Sequence, residues 1–176
     1  MTSTPTLHTI RLDLRPLRVG DAEEMVAVLA DPAVYAFTGG EPPDADALRA
    51  RFVRLVVGRS QDGLDAWHNW IVRLAADGTA MGTVQATVSA EGAIAEIAWV
   101  VGIPWQGLGY ASEAALALVA WLESLGTGTI IAHIHPAHRA SEAVATRAGL
   151  LPTDEIEDGE RVWRLRRDRR TGDDEL

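Results

Sequence analysis

The sequence predicts a mixed α/β fold: a mixed, mostly antiparallel central sheet of about seven strands flanked by helices. Three observations predict it. The spacing of apolar residues switches between two and about 3.6 along the chain, in the order β-α-α-β-β-β-α-β-α-β-β. The strand-like runs in the middle are separated by Asp77-Gly78 and Glu91-Gly92, turn pairs that join antiparallel neighbours. The length of 176 residues, 47% apolar and 23% charged, suits one globular domain over residues 1–176, with a core of about 9–167 and a charged tail at 168–176.

Thr9 to Leu14 alternates Ile10, Leu12 and Leu14 with Arg11 and Asp13, a half-buried strand that Pro16 stops. From Asp21 the period lengthens. Met25, Val28 and Leu29 share a helical face behind Asp21, Glu23 and Glu24, acids suited to a helix amino terminus, and Asp31-Pro32 ends the segment. A second helix runs from Asp44 to about Val57 with Leu48, Phe52, Leu55 and Val56 on its buried side, after a loop holding Gly39, Gly40, Pro42 and Pro43. Trp67 to Leu74, Ala80 to Val88 and Ala93 to Val101 form an antiparallel meander. Beyond Gly102-Ile103-Pro104, an Ala/Leu helix extends to Leu125 with Ala111, Ala115, Leu118 and Leu122 on one stripe. It is apolar nearly all round, the pattern of a buried helix. Thr129 to His135 is a strand, Ser141 to Ala148 a short helix ended by Gly149, and Glu155 to Glu157 pairs with Glu160 to Leu165 across Asp158-Gly159.

Composition removes several chemistries. With no cysteine, a disulfide framework, a zinc finger, an iron–sulfur cluster and a Cys nucleophile are excluded. All 16 basic residues are Arg, so a Schiff-base lysine and a Walker A loop are excluded as well. A formal charge of −9 disfavours general affinity for nucleic acid or anionic membrane and favours cationic partners. The longest apolar run, Ala114 to Leu122, is far short of the ~18 residues that span a bilayer. Met1 to Thr6 lacks a basic leader and an apolar stretch, so the expected compartment is the cytoplasm.

The most informative stretch joins the strand Ala93–Val101 to the helix after Gln106. Gly107 and Gly109 permit a tight turn, and the helix behind them begins with unpaired N–H groups and about half a positive charge from its dipole. A phosphate would be held there without a cationic side chain. Upstream, Glu96 sits among Ile94, Ile97 and Ala98, where partial desolvation would make its carboxylate a better base.

Gln106-Gly107-Leu108-Gly109-Tyr110-Ala111 resembles the Q/R-x-x-G-x-G/A acetyl-CoA loop of the GNAT superfamily of N-acetyltransferases. Ala95 to Val101 resembles that family's fourth strand, and Ser141 to Leu150 its later helix. Arg11 to Leu17, Asp31-Pro32 and Trp70-Ile71-Val72 through Met81-Gly82 are similar to the branch acting on amino termini of ribosomal proteins. The resemblance spans about residues 9–167 and implies acetyl-CoA as acyl donor and a primary amine as acceptor. It implies cofactor contacts from Trp99, Val100 and Val101, where that strand splays from its neighbour. Further contacts would come from Gln106, Gly107, Leu108, Gly109, Tyr110, Ala111 and Ser112, and from His138 and Ser141. It places the general base at Glu96. Three departures stand out: His138 replaces the usual Asn, Leu150 the usual Phe, and no Tyr follows Tyr110, which leaves Ser141, a water or no dedicated acid for the departing thiolate. Another acyl-CoA, such as succinyl-CoA, and a CoA-binding module without catalysis are the alternatives, and a homodimer is compatible with the reading.

Other constellations are weaker. His133, His135 and His138 form H-x-H-x-x-H, but no acid or thiol follows at ligand spacing, so no metal is expected. A dinucleotide loop is disfavoured because Ser112 stands at the third glycine and the next strand ends in histidines. Arg161, Arg164, Arg166, Arg167, Arg169 and Arg170 are interleaved with acids and read as a solvated strand and tail. Trp67, Trp70, Trp99 and Trp105 fall on or beside the strands expected to line the acceptor cleft, where one or two would touch substrate. Family members recognise their amines through the loop between the first two helices and near the last hairpin. Here Tyr35 to Asp46 and Thr153 to Glu160 hold Glu41, Asp44, Asp46, Asp154, Glu155, Glu157, Asp158 and Glu160 and no basic residue, so a cationic acceptor is expected.

Overall fold

The computed structural model describes residues 3–166; the tail at 168–176, with Arg167, Arg169 and Arg170, lies outside them. The chain runs through β1 (Leu7–His8), β2 (Leu12–Pro16), α1 (Ala22–Val28), α2 (Ala45–Leu55), β3 (Asp65–Leu74), β4 (Ala80–Ser89) and β5 (Ile94–Val101). It continues through α3 (Tyr110–Ser124), β6 (Thr129–Ile134), α4 (Arg139–Arg147), β7 (Leu151–Glu157) and β8 (Glu160–Arg166), with 3-10 turns at Val19–Asp21, Pro32–Tyr35 and Ile103–Trp105. Eight strands form one sheet in the order β1-β2-β3-β4-β5-β6-β8-β7. Every neighbouring pair is antiparallel except β5 and β6.

The eighth strand comes from a turn that periodicity concealed. Thr9 N–H donates to Leu12 O at 2.9 Å, and the chain reverses so that Leu7 lies opposite Leu14. Ile10, expected on the buried face, caps this turn and is 96% exposed, while Leu12 and Leu14 are fully buried. The segment ahead of β1 is tied down by Trp70 Nε1, which donates to Pro5 O at 2.6 Å, and by a 2.9 Å bond between Thr4 and buried His68. Burial lowers the His68 pKa.

Two layers of helix cover the sheet unequally. On one face α3 and α4 pack Ala115, Leu118, Leu122 and Val144 against Trp70, Val84, Ile97 and Ile130. On the other, α1 and α2 bury Met25, Leu48 and Phe52 against Ile71 and Ala80. Asp44 caps α2 by accepting from Ala47 N–H at 2.7 Å, and the helix ends earlier than expected, leaving Val56 exposed. Leu116 on α3 is also exposed, so that helix is buried along a broad stripe rather than all round. In register, Thr83 pairs with Val100, Gln85 with Ala98 and Thr87 with Glu96 on the α1–α2 face. Helix covers this row only at its Val100 end, and both Glu96 and Ala98 are exposed. That half of the face carries no helix.

Candidate active site

β5 and β6 share only three registered pairs, Ile94 with Thr129, Ala95 with Ile130 and Glu96 with Ile131. Beyond Glu96 the two parallel strands part. A cavity of about 740 Å³ lies at the parting, lined by Trp99, Val100 and Val101, by Gln106 to Ser112 without Leu108, and by Ala137 to Arg147 without Glu142, Ala145 and Thr146. Every cofactor residue expected from the sequence lines it except Leu108, which is half exposed and turns its carbonyl to Arg11.

The loop ahead of α3 fits an anion. Gly107 has φ +74° and Gly109 φ +82°, left-handed conformations that cost a residue with a side chain about 1–2 kcal/mol. A Cβ on Gly107 would meet no atom within 4 Å, so the backbone is open to an incoming group. The first α3 N–H to reach a main-chain carbonyl is that of Glu113, on Gly109 O at 3.1 Å. Among the described residues, the N–H groups of Tyr110, Ala111 and Ser112 on the cavity wall have no such partner and are available to phosphate oxygens. Gln106 lines the cavity, and its Nε2 donates to Val101 O at 2.8 Å, which fixes the loop to the strand it leaves.

A network that sequence patterns did not reveal holds this loop from outside. Arg11, in the β1–β2 turn, donates from Nε to Glu113 Oε2 at 2.7 Å and from an Nη to Leu108 O at 3.0 Å, and its guanidinium lies over the Tyr110 ring at 4.5 Å. Glu113 also accepts from Thr9 Oγ1 at 2.6 Å and Arg11 N–H at 2.9 Å. Burial opposes its ionisation, but these hydrogen bonds prevail and keep Glu113 below the usual carboxylate range. α4 adds Arg139, Ala143 and Arg147, an i, i+4, i+8 stripe that puts two cations on the cavity lining.

At the inner end, Trp99 Nε1 donates to Ser141 Oγ at 3.3 Å, and His138 Nε2 lies 3.4 Å from the same oxygen. The His138 ring stacks on Phe37 with centroids 4.5 Å apart. Burial, then the neighbouring charge of His135, lowers the His138 pKa and keeps the ring neutral near pH 7. Phe37 and Thr38 come from the loop expected to recognise the acceptor, so that loop also walls this cavity.

Glu96 requires a correction. Its side chain is 50% exposed rather than desolvated by Ile94 and Ile97, and it does not line the cavity. Strand alternation explains this, because Ala95 and Ile97 take the helix-covered face and leave Glu96 on the bare one. Its Oε1 is 2.9 Å from His133 Nδ1. His133 and His135 do not share a strand face, since β6 ends at Ile134. Of the four tryptophans beside the cleft, Trp70 is fully buried, Trp99 and Trp105 line the cavity, and Trp67 is half-buried on the bare face, opposite Thr87. The acidic walls are partly neutralised. Arg164 binds both oxygens of Glu155 at 3.0 and 2.6 Å, Glu157 binds His133, and Asp44 caps α2.

No helix among the described residues is long and apolar enough to cross a membrane. The sequence model of the acetyltransferase (GNAT) domain family matches residues 11–151. No curated protein matches the sequence. An acetyltransferase from Agrobacterium tumefaciens is 27% identical, with a TM-score of 0.73 over 95% of this chain and 97% of that one. A GNAT-family acetyltransferase from Bacillus anthracis is 20% identical, with a TM-score of 0.77 over 92% and 98%. RimL, a ribosomal L7/L12 alpha-N-protein acetyltransferase solved with coenzyme A, is 15% identical, with a TM-score of 0.77 over 92% of this chain and 98% of its own.

Proposed function

The chain belongs to the GNAT acetyltransferase family, and from that premise we propose that it transfers the acetyl group of acetyl-CoA to a cationic primary amine, a protein amino terminus or a small polyamine-like molecule. The observation that carries this reading is the open glycine loop at the head of α3, placed at the parting of β5 and β6. Bound there, acetyl-CoA supplies an activated thioester. The free N–H groups of Tyr110, Ala111 and Ser112 would take the pyrophosphate, with Arg139 and Arg147 adding positive charge. Beyond Glu96, the edge of β5 that no longer pairs with β6 would orient and polarise the acyl carbonyl. Ser141, buried at the inner end, would give its proton to the departing thiolate while Trp99 Nε1 holds its oxygen. Glu96, on the bare face, would take the proton from the amine.

An α-amino group is half neutral near pH 7.7–8.0, whereas a lysine amine titrates near about 10.4. An exposed carboxylate therefore has less work to do on an amino terminus, which favours that acceptor. Among the described residues, the side chains of Glu41, Asp46, Asp154 and Asp158 make no hydrogen bond or ion pair, and they would steer the cation in. An unbiased screen of amines and peptides should return a cationic best acceptor. Its kcat/KM should fall as salt rises from low to physiological, because exposed charges are screened over ~10 Å or less, while acetyl-CoA affinity changes less. A neutral or anionic best acceptor, or an efficiency flat with salt, would refute the steering.

A further inference from the structure

His133 lies on the bare half of the sheet with a carboxylate at each ring nitrogen. Nδ1 is 2.9 Å from Glu96 Oε1, and Nε2 is 3.0 Å from Glu157 Oε2. An ionised carboxylate only accepts, so two such neighbours are both satisfied only by a ring protonated at both nitrogens, a cation between two anions. The electrostatics agree with the geometry. Burial alone would lower the His133 pKa, but the hydrogen bonds and charges of Glu96 and Glu157 outweigh it and raise the value. Glu96 is 50% exposed, the His133 side chain 17% and Glu157 62%. The ring is the most enclosed of the three, clamped between two carboxylates that both reach water.

We propose that His133, anchored by Glu157, is a positioning residue that holds the Glu96 carboxylate at the acceptor side of the sheet. The inference rests on the reading of Glu96 as base. In the step, one N–H bond of the ammonium breaks and one O–H bond of Glu96 forms; no electrons are transferred, and half-exposed Glu96 returns the proton to water. A ring protonated at both nitrogens has no lone pair for that proton, so it fixes and charges the base and takes no part in the transfer.

The groups facing the ring are few. Glu96 comes from β5 and Glu157 from β7, while β8 places Val162 directly opposite, with Arg164 two residues along and occupied by Glu155. Arg161 is turned to Thr153 O.

The test pairs His133→Gln and Glu157→Gln with the parent. Removing the cation beside Glu96 should move the acidic limb of the kcat/KM profile to higher pH and lower kcat on the order of tenfold to a hundredfold, with acetyl-CoA affinity retained. Glu157→Gln, which removes the ring's second carboxylate, should move the limb the same way by less and lower kcat severalfold without changing acceptor KM. NMR of the ring nitrogens, which needs no activity, should show His133 doubly protonated at pH 7 and titrating lower in Glu96→Gln. Stability should respond with the matching sign: the bridge contributes fully below about pH 6.5 and is lost as pH rises through the raised His133 value. A uniform activity loss with an unmoved limb, or a neutral ring at pH 7, overturns the proposal. If Glu96→Gln keeps the parent's rate, the base reading itself has failed. If Glu96→Gln is inactive but both new variants match the parent at every pH, only the positioning role of His133 has failed.

Discussion

Gly109→Val is expected to abolish measurable acetyl-CoA binding by calorimetry while thermal unfolding stays cooperative. At φ +82° a branched residue is strained by about 1–2 kcal/mol or more, and its Cβ would come within 3.4 Å of an Arg11 Nη atom. The loop relieves both by turning, which withdraws the N–H groups at the start of α3 from the phosphates. Two lost hydrogen bonds to a charged group, at about 1.5–3 kcal/mol each, weaken affinity by about 10²–10⁴. The fold survives because the loop lies at the edge of the core, while Ala114, Ala115 and Leu118 behind it stay packed. Unchanged affinity would remove the loop from the cofactor site.

Glu96→Gln is expected to lower kcat by about 10²–10³ with acetyl-CoA affinity retained, at the smaller end of general-base effects because the side chain is half exposed. The loss should be greatest at low pH, where the acceptor is most fully protonated, and should shrink as pH approaches the amine's own value, so that the acidic limb of the profile moves up to that value. The amide keeps the side chain's shape and can still accept from His133, which separates the missing base from a broken strand contact. A variant within threefold of the parent at all pH values would make Glu96 structural. Ser141→Ala is the companion at the thiolate end and should slow kcat without raising acceptor KM.

Local signals carried most of the fold. The Asp77-Gly78 and Glu91-Gly92 turns, the Asp44 cap and the Gly107 and Gly109 loop each act over a few residues, and each stands where the pattern put it. The misreading at Ile10 arose because a tight hairpin and a continuous strand share the same alternation when the turn itself carries an apolar residue. Sites made by distant partners were illegible. Arg11 and Glu113 are about a hundred residues apart, and their meeting depends on β2 lying under α3. Glu96 could be placed on a strand, but which face it took depended on where helices covered the sheet. Its neighbours Ile94 and Ile97 suggested burial that alternation denies it. His133 read as one of three clustered histidines, and only the pairing of β6 with β5 and β8 gave it two carboxylates instead of a metal-like set.

The central claim is catalysis of acyl transfer at the parting of β5 and β6, and stoichiometric product analysis tests it most directly. Acetyl-CoA and succinyl-CoA are each incubated with the enzyme and a panel of amines and amino-terminal peptides, with free thiol and acylated amine measured together. One free thiol is expected for each acetylated amine, dependent on the amine and lost in Gly109→Val, with acetyl-CoA preferred. Saturable binding of acetyl-CoA with no amine-dependent thiol release across the panel would contradict it and leave a binding module in its place.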